Sequence, residues 1–328
     1  MNDDSGEPRV VAEQMGCLAR RVLSVDPGGH VLAGRSRAMY LQSASGDLLW
    51  LAPRDVPMHR RGVRVSEPGL WTRPESTYRL AGTELVFGSG ASADLSQART
   101  WEPQRFAGDP GLSQGNLPAH LARVSTLLMH LPSPQGFGVF LPGITEFSSG
   151  GRLPGEAPRH DPFITRAFPA VRGIAHACRQ HDLAALLAQA ESLVGLGEGL
   201  TPSGDDFIGG VLFGLAMLEE ACIPFRGYAR EAVTSFLEKA RTQTNRISYV
   251  LLSDHAAGHA SEDLQRFALS VLAGRMQPGI HQAASELIGM GHSTGWSLLT
   301  GAWTAIVLVP LGAAGILRTA GPTFATAQ

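Results

Sequence analysis

Cysteine is scarce: Cys17, Cys178 and Cys222 are the only three in 328 residues, far apart and without a C-x-x-C pair. That spacing argues against a disulfide framework or a cysteine zinc site, and predicts three buried free thiols. Net charge is also nearly absent, since 27 basic and 29 acidic residues leave −2. Such a balance gives no global attraction to nucleic acid or to an anionic membrane, so a charged ligand must be held locally. The start, MNDDSGEPRV, carries acids and a proline where a secretory signal carries basic residues and then an apolar run, which predicts no export and a cytoplasmic location. No internal repeat is visible. The longest apolar run, GWSLLTGAWTAIVLVPLGAAGIL, is interrupted by Ser297, Thr300, Thr304 and Pro310, and reads as a buried core helix in place of a membrane span.

What is present describes a packed globule, with 44% hydrophobic and 17% charged residues. From about Val22 to Phe87 the chain runs in short β-type segments, RVLSVD, HVLAG, AMYLQSA, LLWLAP, GVRV and TELVFG, punctuated by glycine, proline and aspartate turns. Short, closely spaced strands predict a small antiparallel barrel or sandwich, and AMYLQSASGDLLWLAP is its clearest hairpin. The basic cluster of His59, Arg60, Arg61 and Arg64 reads as a solvated hairpin edge. Residues 88 to 116 read as irregular linker, and the Gly/Pro-rich interval 133 to 162 is the least predictable. NLPAHLARVSTLLMHL and nearly everything from Pro162 to Leu317 is helical in pattern. The expected class is α+β: a small antiparallel β-rich N-terminal domain with linker at 1–115, then a larger, mainly α-helical domain at 116–328.

One connection inside the helical part is unlike a plain linker. GLGEGLTPSGDD, residues 195 to 206, packs glycines, hydroxyls and adjacent carboxylates between two apolar helical runs. Helix N-termini expose unpaired N–H groups and a partial positive charge, so a glycine-rich approach to one is a ready anion site. Gly195, Gly197 and Gly199 let the backbone approach a ligand, Gly204 permits a tight turn into the helix, and Thr201 and Ser203 add donors. The loop has no lysine, so it is not a P-loop, and a helix precedes it, so it is not a dinucleotide-binding fingerprint. Asp205 and Asp206 suit a helix dipole as simple caps. The sharper alternative gives one of them a Mg²⁺ ion, or a substrate amide or ammonium to orient.

Two further segments share this composition. RTQTNRIS, residues 241 to 248, sets Asn245, Arg246 and Ser248 among other anion donors at the end of an apparent helix. GHSTGWSLLTG, residues 291 to 301, repeats the pattern of glycine, polar side chains and buried helix. It also matches G-x-S-x-G through Gly291, Ser293 and Gly295, but HQAASELIGM before it reads as helix and no Asp, Glu or His follows Ser293. A nucleophile elbow needs the opposite on both counts. His255 and His259 have the spacing of helical metal ligands, yet Ala256 replaces the glutamate of H-E-x-x-H and Gly258 weakens the helix.

GLGEGLTPSGDDFIGG, TNRIS and GHSTGWSLLTG together resemble the AllH family, a bacterial family once described only as a domain of unknown function and associated with oxamate carbamoyltransferase in allantoin-derived nitrogen use. The resemblance extends in outline over the helical part and more loosely over the β-rich start. It implies a subunit that works with separate partner chains on carbamoyl transfer between carbamoyl phosphate and oxamate. On that reading, backbone N–H groups from Gly197 to Gly204 take phosphate and Arg246 pairs with a carboxylate or phosphate. Asp205 or Asp206 accepts a carbamoyl N–H, and Ser203, His292 or Ser293 donates to a developing oxyanion. Two alternatives stay open: a non-catalytic anion-binding or scaffold subunit, and Mg²⁺-dependent hydrolysis through the two aspartates. Convergence of the glycine loop and the 241–248 segment on one place distinguishes a ligand site from a scaffold.

Overall fold

The computed structural model of the chain describes residues 8–35, 37–66, 74, 76–106, 116–157, 161–223, 225–274 and 278–319. Among the described residues nine strands form the first unit's sheet: β1 (Arg9–Gly16), β2 (Gly28–Arg35), β3 (Ala38–Ser43), β4 (Leu48–Ala52), β5 (Gly62–Val65), β6 (Thr77–Ala81), β7 (Glu84–Phe87), β8 (Ser92–Asp94) and β9 (Arg99–Trp101). Their order is β5-β4-β3-β2-β6-β7-β8-β1-β9, and an extra β5–β1 pairing closes the first eight into a barrel. Closure leaves no unpaired sheet edge between β1 and β5. The expected hairpin is β3–β4, with Met39 opposite Leu51 and Gln42 opposite Leu48.

Three features depart from the expectation. The barrel is not wholly antiparallel: β4 pairs β5 in parallel, and successive halves of β1 pair β8 and then β9 in parallel. Those last two strands lie inside the stretch expected to be linker. RVLSVD is not a strand, because it ends helix α1 (Cys17–Val25), which buries Leu18, Ala19, Val22 and Leu23 in the barrel core. That spacing of three and four puts the apolar residues on one helical face, and it outweighs the β preference of the valines.

The basic cluster is no solvated edge either. His59 is buried and stacks on Trp50 with ring centroids 4.9 Å apart, Arg61 donates to the Leu48 carbonyl, and Arg64 donates to Gln14 Oε1 at 2.6 Å. The thiols differ as well: Cys178 is buried, Cys17 is half-buried and Cys222 is exposed. Cys222 has φ 59° in the turn that ends a helix, where its side chain is left in solvent.

The second unit runs over residues 105–258 and 263–328, while residues 259–262 group with the barrel unit. It contains α2 (Leu117–Leu128), a 3-10 helix (Gly136–Phe140), α3 (Leu141–Ser148), α4 (Pro162–Gln180) and α5 (Leu183–Glu191). After these come α6 (Ser203–Glu220), α7 (Arg230–Ala240), α8 (Arg246–Ala256), α9 (Glu262–Leu272), α10 (Pro278–Ile288) and α11 (Thr294–Thr319). Helices α4 and α5 divide one apolar-periodic stretch at His181, whose left-handed φ of 56° ends α4 before Asp182 caps α5 by accepting from the Ala185 N–H at 2.9 Å.

Helices α6 and α11 are the centre of this unit. Almost every residue of α6 from Ser203 to Leu218 is buried, and Trp303, Ile306 and Leu308 of α11 are inaccessible. The stretch Thr294–Gly312 is long and apolar enough to cross a membrane, but 94% of its most apolar window is buried inside the protein, as the interruptions in its sequence predict. The two helices touch through glycine. A Cβ at Gly210 would collide with the Leu298 carbonyl, one at Gly214 would lie 2.8 Å from Ala305 Cβ, and one at Gly301 would collide with the Phe207 carbonyl.

Candidate functional site

The loop after α5 is built around glycines that must be glycine. Gly195, Gly197 and Gly199 have φ of 70°, 127° and 93°, a region that side-chain-bearing residues rarely adopt. At Gly197 and Gly204 space is also exhausted: a Cβ would lie 2.7 Å from the Ser203 N–H nitrogen or strike the Leu193 carbonyl. The chain thereby folds back onto the first turn of α6, and the Gly204 N–H donates to the Leu196 carbonyl at 2.8 Å.

Asp205 fastens this loop to the next motif. Its Oδ1 accepts the Gly195 N–H at 2.7 Å, while its Oδ2 accepts the Ser248 hydroxyl at 2.6 Å and the Thr244 hydroxyl. Asn245 makes a second link. Its Oδ1 caps α8 by accepting the Ser248 N–H at 3.1 Å, and its Nδ2 donates to the Leu200 carbonyl at 3.0 Å. The 241–248 segment is therefore not one helix end: it turns from α7 into the first turn of α8, with Arg246 exposed as the first residue of that helix.

The third motif meets the same loop from the other side. Thr201 and Thr294 hydroxyls are 3.0 Å apart, and those of Ser203 and Ser293 are 3.1 Å apart. Thus three helix N-termini, of α6, α8 and α11, are tied together by side chains, and their dipoles put partial positive charge in one place. A fourth segment completes the wall. Gly136, at the start of the 3-10 helix with φ 49°, lies where a Cβ would be 2.6 Å from Ser293 Cβ and 3.4 Å from Ser203 Oγ. Its stretch has no sequence motif beyond the glycine itself, so only the fold reveals it. His292, by contrast, is exposed in the turn before α11.

Asp206 stands apart from its neighbour. It is 5% exposed, and Oδ2 is buried without a hydrogen-bond partner. Burial pushes its carboxyl well above the usual carboxylate range, the nearby Asp205 adds to that push, and the Thr294 and Thr201 hydroxyls oppose it. Further along α11 the Ser297 and Thr300 hydroxyls are also buried without partners.

For a metal, both oxygens of Asp205 are already engaged by protein donors, and among the described residues no group of three or more His, Cys, Asp or Glu is placed to hold an ion. His255 is a buried residue on α8 whose imidazole is pushed down to about 4 by burial, and its ring lies against Gly209, where a Cβ would collide with it. Two cavities within the helical unit lie elsewhere. One of about 220 Å³ is lined by residues such as Val139, Ile144 and Phe168, the other by residues such as Leu215 and Tyr228, and neither includes a motif residue.

Compared with known proteins, residues 193–306 match the model of the AllH family, described as oxamate carbamoyltransferase subunit AllH. The match begins just before the glycine loop and ends within α11, so it spans all three motifs that meet at the site; Gly136 lies outside it. The resemblance read from the sequence is shown over that segment. No curated protein and no solved structure matches the chain.

Proposed function

We propose that this chain is a carbamoyltransferase-related subunit whose convergent helix N-termini hold a small anionic substrate, with carbamoyl phosphate and oxamate as the pair to test first. The observation that carries the reading is the meeting of three separate sequence segments through the Asp205, Thr201–Thr294 and Ser203–Ser293 contacts. Segments serving a scaffold have no reason to converge on buried polar groups, because burying such groups costs stability unless they are satisfied or used.

In carbamoyl transfer, the nitrogen of the acceptor forms a bond to the carbamoyl carbon, the bond from that carbon to the phosphate oxygen breaks, and the nitrogen loses a proton. Little covalent work falls to the protein. What the reaction requires is placement of two anions side by side and stabilisation of the developing oxyanion. The α6 and α11 N-termini offset the charge, the Ser203 and Ser293 hydroxyls supply rotatable donors, and Arg246 at the rim pairs with a carboxylate or phosphate. The partners implied are separate protein subunits, a reading supported by the word subunit in the family's description.

Thermal unfolding of the full chain with carbamoyl phosphate, phosphate, oxamate and Mg²⁺, alone and in pairs, tests the reading. A ligand at a hundred times its Kd stabilises the folded state by about 2.7 kcal/mol, which moves the midpoint visibly. A rise with carbamoyl phosphate or oxamate supports the proposal. No rise with either argues for a scaffold, and a rise with Mg²⁺ alone argues for the hydrolase alternative.

A further inference from the structure

We infer that Asp206 Oδ2 is the specificity-determining acceptor of the site, taking an N–H from a primary amide so that carbamoyl compounds are chosen over their acetyl counterparts. This rests on the anion-site reading above and names what the site recognises beyond charge.

The geometry separates the two adjacent aspartates. Asp205 has spent both oxygens on Gly195, Thr244 and Ser248, so it positions the loop and has little left to offer a ligand. Asp206 is on the same first turn of α6, is almost wholly buried, and has Oδ2 without a protein donor. The Thr201 and Thr294 hydroxyls, which belong to the glycine loop and to the start of α11 and lie 3.0 Å from each other, both act on this carboxyl, so Asp206 sits where the loop meets α11. A buried polar oxygen left unpaired costs stability, and a site keeps one where a ligand supplies the missing donor.

The chemical consequence concerns the choice between NH₂ and CH₃. Carbamoyl phosphate and acetyl phosphate share charge and shape, as do oxamate and pyruvate, and each pair differs only in that group. A methyl group against Oδ2 leaves the oxygen unpaired, whereas an amide N–H satisfies it. Sites built to hydrogen-bond a polar group reject the analogue lacking it far more strongly than apolar pockets reject a missing methylene. Among the described residues the charged group acting on Asp206 is Asp205 on the same helix, and the groups acting on it from the loop and α11 are the Thr201 and Thr294 hydroxyls. Burial and the Asp205 neighbour favour the neutral acid, whose carbonyl oxygen still accepts an N–H as an amide oxygen does.

The experiment is calorimetric titration of the full chain with the two isosteric pairs, for the wild type, Asp206→Ala and Asp206→Asn, with folding checked by circular dichroism. The wild type is expected to bind the amide-bearing member of each pair at least about tenfold more tightly. Asp206→Ala should reduce that ratio to about twofold or less while still binding both anions, and Asp206→Asn, which retains an acceptor oxygen, should restore part of it. Equal wild-type affinity for both members overturns the inference and leaves the anion site standing. Full discrimination in Asp206→Ala overturns it too. If neither member of either pair binds the wild type, the anion-site reading fails and the inference falls with it.

Discussion

The Ser248 hydroxyl donates to Asp205 Oδ2 at 2.6 Å, and this bond joins the first turn of α8 to the first turn of α6. The Gly195 N–H and the Thr244 hydroxyl converge on the same carboxylate, so one side chain holds a loop and two helix starts. Replacing Asp205 by Ala strands three donors at a buried position. We expect a loss of about 3 kcal/mol, more than Ser248→Ala at about 1–2 kcal/mol, read as lower urea midpoints with unchanged slopes.

Asp206 gives the protein a stability that depends on pH with a defined sign. Its folded pKa is raised by burial, so between the unfolded and folded values the native state holds a proton that the unfolded chain has released. Stability contributed by the neutral acid is full below the ordinary carboxylate range and declines as pH rises toward the raised value, by about 1.4 kcal/mol per pH unit. Asp206→Asn cannot ionise. Its stability relative to wild type should therefore climb with pH across that window and level off above it, measured by denaturant titration at stepped pH; a flat difference would show that Asp206 titrates normally.

Gly136 and Gly199 form a matched pair for separating strain from crowding. Both have positive φ, at 49° and 93°, but a Cβ at 136 meets Ser293 and one at 199 meets nothing within 4 Å. Gly199→Ala should cost about 1 kcal/mol from backbone strain alone. Gly136→Ala adds a collision of about 1–3 kcal/mol and displaces Ser293 from Ser203. The second variant alone is expected to weaken anion binding beyond its effect on the melting temperature.

Gly301→Ala tests the contact between α6 and α11. The added methyl collides with backbone, the Phe207 carbonyl, which cannot rotate away as a side chain can. Overpacking here should destabilise by about 3 kcal/mol or more. Gly279→Ala, in α10 with nothing within 4 Å, is the control and should be neutral or slightly stabilising in the same melt.

The sequence made the helices legible where apolar spacing was long, as in α4 and α6, and it made the motifs legible because glycine and hydroxyl clusters have few structural uses. Hairpin β3–β4 was readable from its turn. Helix α1 was not, since Val22 and Val25 favour strands locally and only burial of Leu18, Ala19, Val22 and Leu23 on one face decides for helix. The same limit applies at the site. Asp205 and Asp206 are chemically identical neighbours, and what separates them is supplied by Thr244 and Ser248, some forty positions later in the chain. Gly136 shows it again, because its role exists only through Ser293.

The glycine seam between α6 and α11 fixes more than a packing distance. Where two helices meet through side chains, their separation can drift as those side chains change rotamer or are exchanged. Here carbonyl and Cα atoms set the gap at Gly210 and Gly301, so the spacing of the two helices, whose first turns carry Asp206 and Thr294, is fixed by backbone. Substitutions elsewhere in the apolar core can lower the protein's stability without altering that spacing, which the helices inherit from their main chains.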